Sequence, residues 1–344
     1  MKISNFFTFN LLTLFLFSAT AFAGVSLKGV GSGLTAPLYL KLLSEYQRLH
    51  TDVKLKYEVK SPYDAVNQFL TRGAEFGTTD LPLTDSEEKK AFGRTVLHLP
   101  AAIDGVAITY NLPGIPSGIK LTPAVLSKIF RGEIKRWNDI SITELNPGTA
   151  FPPMDILVLH REDESSLKDL FPGFLARLDP QWTAKHEQEK NLKWPVGRAV
   201  KGNDKVMEKL RQWPGLIAAV DFSYAVEHQM PAAQLRNPAG HFVEPTLESL
   251  SAATGDWVNL PGDFKIVLSR SRALAAYPLC SFSWILVYED ETKAVHDHKK
   301  SQALVDFVQW IFQDGQKCVK DCFLAPLPDS FLAQVREKIK EIKY

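Results

Sequence analysis

The sequence predicts an α/β fold, layers of strand and helix alternating along the chain, and three observations carry that prediction. Val53–Val59 alternates apolar and polar residues as a half-buried strand does, and helical patterns flank it on both sides. Start signals for helices recur directly after strand-like runs. No internal repeat or low-complexity linker interrupts the alternation, which in this form suggests largely parallel sheets.

The elements follow in order. Behind Pro37, Tyr39, Leu42, Leu43, Tyr46 and Leu49 recur at helical spacing. Ser61-Pro62-Tyr63-Asp64 then offers an N-cap serine, a proline at the first helical position and an acid three residues past the cap. Ala65, Val66, Phe69 and Leu70 form the buried face of that helix. Thr122–Arg131 reads as a helix with Val125, Leu126, Ile129 and Phe130 inward, closed by Gly132. Asp155–His160 is a strand, Lys205–Trp213 a helix stopped by Pro214-Gly215, and Phe282–Tyr288 a core strand.

Composition bounds the rest. Of 344 residues, 45% are hydrophobic and 23% charged, ordinary values for a globular chain with a sizeable core. Lys2, the apolar run Phe6–Phe17 and Ala21-Phe22-Ala23 have the form of an export signal cleaved near Ala23. The run is too short to span a membrane, which takes about 20 residues. Removing residues 1–23 leaves 321 residues and no formal net charge. Such a chain lacks the basic excess that attracts nucleic acid or anionic membranes. A soluble, periplasmic protein is expected. In an oxidising compartment Cys318-x-x-x-Cys322 either closes a disulfide at a helix end or stays reduced; Cys280 reads as a buried thiol. Two thiols with no histidine at ligand spacing do not make a metal site.

Three loop-to-helix junctions stand out: Gly29-Val30-Gly31-Ser32-Gly33, Ser61-Pro62 and Glu164-Ser165-Ser166. Each offers backbone N–H groups and the positive end of a helix dipole, a generic anion site. Catalytic patterns do not fit: Leu34 breaks the dinucleotide fingerprint, Gly31-Ser32-Gly33 is not a nucleophile elbow, and His296-Asp297-His298 reads as a solvated loop. No enzyme activity and no cofactor are expected.

Taken in order, further motifs resemble one family. They are Ala36-Pro37-Leu38-Tyr39 after the first junction, Phe76-Gly77-Thr78-Thr79-Asp80-Leu81-Pro82-Leu83, Gly105-Val106, Asn111-Leu112-Pro113-Gly114 and Ile134-Lys135-Arg136-Trp137-Asn138-Asp139. Leu145-Asn146-Pro147-Gly148, Lys193-Trp194-Pro195-Val196-Gly197, Lys201-Gly202-Asn203-Asp204 and Leu327-Pro328-Asp329-Ser330 complete the series. Spread over nearly the whole mature chain, this set resembles the periplasmic phosphate-binding proteins of ABC transporters, the PstS-like family.

The resemblance implies a type II periplasmic binding fold with two lobes, each a mixed sheet flanked by helices, and a ligand in the cleft between them. It implies lobes of residues 24–102 plus 276–344 and of 103–275, with crossings near Ala101–Gly105 and Arg272–Tyr277. It also implies inorganic phosphate as ligand, a membrane permease as partner and a monomeric state. Asp80 matches the carboxylate that accepts a hydrogen bond from a protonated phosphate oxygen. Arg161 matches the phosphate-pairing arginine, Asp163 the acid that holds it, and Ser165 a hydroxyl donor at the third helix start, with Ser166 beside it in the expected ligand set. Ser32, Gly33, Leu34 and Ser61 complete the expected ligand set.

The chain departs from the family at this set. Gly33-Leu34 stand where a hydroxyl residue and an aromatic or serine are usual. Pro62 takes the place of a ligand serine and lacks both hydroxyl and N–H. Glu164 replaces a glycine and Leu167 a threonine. Two readings follow: a transport receptor for phosphate, or the same fold with a degenerate phosphate site serving another ligand or a protein partner. Tyr63 and Leu34 closing the cleft, or Glu164 lining it, would favour the second.

Overall fold

The computed structural model describes residues 24–162, 167–182, 194–257, 260–294 and 297–344. The export signal, Asp163, Glu164, Ser165, Ser166 and His296 lie outside the described residues. Eleven strands are described: β1 (Val25–Ser32), β2 (Val53–Lys60), β3 (Phe76–Thr79), β4 (Val96–Tyr110), β5 (Lys120–Leu121), β6 (Leu157–Arg161), β7 (Arg198–Val200), β8 (Leu216–Asp221), β9 (Gln234–Arg236), β10 (Phe242–Val243) and β11 (Cys280–Tyr288). Eight of them form one continuous sheet in the order β2-β1-β3-β11-β4-β8-β6-β7, and β10-β9-β5 form a small second sheet.

The expectation of largely parallel sheets holds only at the flanks. β2-β1-β3 and β8-β6-β7 are parallel, but β11 and β4 are antiparallel to their neighbours. Alternating helix and strand signals fix layers, not the direction of strands distant in sequence. β4 meets β11 across more than 170 residues, so nothing local reports that pairing.

β4 organises the two-lobed molecule. All of its 15 residues are buried, as expected of a strand covered on both faces. Val96–Gly105 pair with β11, and Val106–Tyr110 pair with β8. β3 runs in the same sense as β4 and β8 runs against it, so the carboxyl ends of β1–β3 and those of β6–β8 point at each other over the middle of β4. Thr79 stands level with Pro100 through Trp284, and Asp221 level with Val106. Those positions are six residues apart on β4, roughly 20 Å at about 3.3 Å per residue.

Local signals perform as the sequence predicts. Helix α1 (Ala36–Leu49) buries Tyr39, Leu42, Leu43 and Tyr46, while Leu49, the last of the periodic set and of the helix, is exposed. Helix α2 (Pro62–Leu70) buries Ala65, Val66, Phe69 and Leu70, and Ser61 caps it. Thr122 caps the helix Pro123–Phe130, which ends before Gly132 in the left-handed region. The strand expected from Asp155 begins at Leu157, and the helix expected from Lys205 spans Asn203–Gln212. Asp297 is not part of a solvated loop: its carboxylate accepts from Lys299 N and Lys300 N and caps the helix His298–Ile311. Cys280 is a buried thiol, and Cys318 and Cys322 are unlinked thiols. None of the described helices is long and apolar enough to cross a membrane.

Candidate functional site

The two facing rows of carboxyl ends meet where open sheets place ligands, beyond strand ends at a change of strand order. Ser32 ends β1, Ser61 follows β2, Asp80 follows β3, Arg161 ends β6, Asn203 follows β7 and Asp221 ends β8. Every predicted site residue within the described chain therefore lies along one of these two edges.

The first edge explains its glycines. A Cβ at Gly29 would stand 2.1 Å from Cζ of Phe76, and one at Gly31 would stand 1.9 Å from Thr78 Oγ1 and 2.0 Å from the Tyr57 hydroxyl. The space so kept holds three hydroxyls in mutual contact. Thr35 Oγ1 is 2.8 Å from Thr78 Oγ1 and 3.1 Å from Tyr57 Oη, which is 2.6 Å from Thr78 Oγ1. The Thr35 hydroxyl also donates to Ser32 O, which pins the turn Gly33–Thr35 under the start of α1. Sequence reasoning missed this triad; its residues lie 22 and 43 positions from Thr35, and only the β-sheet register brings them together. Ser32 is buried, and its Oγ makes no hydrogen bond among the described residues. Gly33 is exposed, Leu34 half-buried, and neither amide N–H takes part in a described hydrogen bond.

Ser61 is differently employed. Its hydroxyl accepts from Asp64 N at 3.2 Å and donates to Asp64 Oδ2 at 2.9 Å, so it caps α2. Asp64 faces solvent, in keeping with a helix-start acid. Tyr63 is 62% exposed and lies under the Lys90 ammonium, 5.1 Å from the ring centroid, rather than closing the cleft.

The turn after β3 is capped by Thr79. Thr79 Oγ1 donates to Leu81 O at 2.7 Å and accepts from Leu81 N at 3.2 Å. Ser281 on β11 donates to Asp80 O at 2.9 Å, and Leu83 N donates to His98 Nε2 at 3.1 Å. These contacts fix the segment that presents the buried Asp80 side chain. The Asp80 charge reaches Tyr57, whose hydroxyl burial pushes up to about 12.

His98 gives this segment a pH dependence. Burial, then the Lys265 charge, lowers its imidazole from 6.5 to about 4. The unfolded chain takes up the proton first, so stability present above pH 6.5 is lost as pH falls toward 4, by roughly 2–3 kcal/mol. Urea midpoints at pH 7 and pH 5 should show that loss in the wild type and a smaller one in His98→Gln, which keeps a neutral acceptor.

On the second edge, Arg161 Nη1 donates to Asn203 Oδ1 at 2.6 Å and lies 3.9 Å from Asp221 Oδ2. Asn203 Nδ2 in turn donates to Asp221 Oδ2. Among the described residues, then, the arginine expected to be held by Asp163 is held by Asn203 and Asp221. The motif containing Asn203 was visible in the sequence, but its role was not. Between the edges lies Asp104 on β4, subject to the charges of both Asp221 and Asp80. No group of metal-ligating side chains is present among the described residues.

Residues 18–314 match the model of the PBP superfamily domain. A phosphate-binding protein PstS of Xylella fastidiosa is 32% identical over 321 residues, covering 92% of this chain and 86% of that protein. One from Methanocaldococcus jannaschii is 33% identical over 306 residues, covering 83% and 78%. Among solved structures, an ABC-type phosphate transport receptor from Vibrio cholerae matches with a TM-score of 0.61 at 18% identity, over 88% of this chain and 100% of that one.

Proposed function

The chain belongs to the PBP superfamily and, within it, to the PstS family of phosphate-binding proteins, and on that premise we propose that it captures inorganic phosphate for an ABC importer. The observation that carries this reading is the placement of Asp80 and Arg161 on two strand edges that face each other across β4. Arg161 supplies a fork for two phosphate oxygens, and the Asp80 carboxylate accepts from an oxygen that still carries a proton. Sulfate, which carries no such proton at neutral pH, is repelled there.

Further donors in this reading are the Ser32 hydroxyl, the Gly33 and Leu34 amides at the start of α1, and Ser165 and Ser166. Asp163 is read as a second support of Arg161. Lobes of 24–102 plus 276–344 and of 103–275 close about β4 and a crossing at Arg272–Tyr277, and the ligand shifts the equilibrium toward the closed form that a permease recognises. The partner exchange on β4 between Gly105 and Val106 supports the first crossing. The family is one of substrate-binding proteins, so no catalysis is assigned. Export to the periplasm after cleavage near Ala23 and a monomeric state complete the proposal, and the charge balance favours no nucleic-acid partner.

The use of the Ser61 hydroxyl as a cap, together with Pro62, favours a site with fewer donors on the first edge. Each hydrogen bond to a charged ligand contributes about 1.5–3 kcal/mol, so calorimetry decides whether the rest suffice. Titration of the phosphate-stripped protein at neutral pH is expected to give micromolar or tighter binding that spares sulfate. No heat and no thermal shift at millimolar phosphate would exclude the receptor and leave the degenerate site.

A further inference from the structure

Asp104 sits on β4 in the gap between the two edges, two residues before the strand's first pairing with β8. It is 7% exposed, and a carboxylate so buried costs free energy unless cations or donors surround it. Its Oδ1 accepts from the adjacent Gly105 N at 2.7 Å; the other oxygen has no hydrogen bond among the described residues.

The register defines which side it faces. Asp104 opposes Ser281, whose hydroxyl holds the Asp80 carbonyl; Val106, on the same face two residues on, opposes Asp221. The opposite face is closed, since a Cβ at Gly105 would meet Leu250 at 2.6 Å and Phe222 at 3.5 Å. Asp104 thus stands between Asp80 and Asp221. The charged and titratable groups of the described elements around it are Asp80 after β3, Asp221 on β8, Arg161 on β6 beyond Asp221, and Cys280 on β11. Burial first, then the Asp221 charge, drives its carboxyl well above the usual range, with Asp80 adding to the effect. The one cation among these groups is already engaged with Asn203 and Asp221.

We propose that Asp104 is a specificity-determining residue of the cleft, a neutral carboxylic acid whose O–H donates to the oxyanion held between Asp80 and Arg161. The inference rests on the phosphate reading and deepens it. A donor at this place replaces one lost on the first edge, where Pro62 has none and Ser61 is committed to a helix. Ionised, the same group would be a third carboxylate facing an anion, so the cleft accepts phosphate while Asp104 holds its proton.

Phosphate titrations of wild type, Asp104→Asn and Asp104→Leu at pH 6 and pH 9 test this, with urea midpoints to verify folding. Asp104→Asn keeps a donor and is expected to bind within about threefold of wild type at pH 6; Asp104→Leu, similar in shape but without a donor, is expected to bind roughly 10- to 100-fold more weakly. At pH 9 wild type should bind no more tightly than Asp104→Asn. Infrared difference spectra should show a carboxylic-acid C=O band, absent from Asp104→Asn, that shifts on adding phosphate. Wild-type affinity in Asp104→Leu, or an acid band unmoved by bound phosphate, overturns the inference while leaving the receptor reading intact. No phosphate heat in any of the three proteins at either pH sinks both.

Discussion

Arg161→Ala is expected to weaken phosphate binding by roughly 10²- to 10⁴-fold, the largest binding effect of any single replacement described. The Arg161 side chain is 12% exposed, and the orientation of its guanidinium is set by Asn203 at 2.6 Å and Asp221 at 3.9 Å. A fork held in that way makes two charge-assisted hydrogen bonds without first losing rotamer freedom, each worth about 1.5–3 kcal/mol. Its removal also takes away the cation beside Asp221 and adds uncompensated negative charge to an anion site. Arg161→Lys keeps the charge but not the planar fork and should fall between the two. Calorimetry reads the affinities, and a urea midpoint separates loss of ligand from loss of fold. Undiminished phosphate binding in Arg161→Ala would show that the anion does not sit at the end of β6.

The largest effect on stability is expected at the junction of β1 and β3. Phe76 is fully buried, tilts against Phe307 with centroids 5.6 Å apart, and lies over Gly29, its partner in the β1–β3 register. Phe76→Ala should cost about 3–5 kcal/mol through lost burial and the cavity left behind. Gly29→Ala alone should cost about 1–3 kcal/mol, because the new methyl lands on a ring that Phe307 prevents from retreating. Combined, the methyl enters the space the ring vacated, so the double variant should be more stable than the sum of the two costs by about 1 kcal/mol or more. Urea unfolding of the four proteins measures this cycle, and strictly additive costs would contradict the packing. Gly29→Ala should also weaken phosphate binding, since β1 and β3 end at Ser32 and Thr79 and a splayed pair would displace Asp80.

Much of the molecule was legible because its signals are short-range. The serine at 61, the proline after it and the apolar spacing through Leu70 specify α2 within ten residues. Thr122 and Gly132 bracket another helix in the same way. The motif series gave the family; Asp80 stands inside one of its contiguous strings, and Arg161 followed from the resemblance at the end of the strand expected over Asp155–His160. What those strings did not reveal is the support behind them. Arg161 finds Asn203 and Asp221 at sequence separations of 42 and 60, and Asp80 is anchored by Ser281, 201 residues away. The reading of Ser61 as a ligand met a local competitor, because its hydroxyl reaches the backbone and carboxylate of Asp64.

By itself, then, the sequence determined the helices and their caps, the alternating layers, the family and the two charged residues expected to meet the ligand. These follow from interactions that span a few residues, or from the order of short motifs along the chain. The tertiary structure decided the direction of the central strands, the facing of the two carboxyl edges, the hydroxyl triad of Thr35, Tyr57 and Thr78, and the position of Asp104 between two acids. Each depends on the register of β4 against β11 and β8, strands that meet only when distant parts of the chain bury their faces together. Hydrogen bonds and charges act over a few ångströms of space, and that register sets which residues come so close.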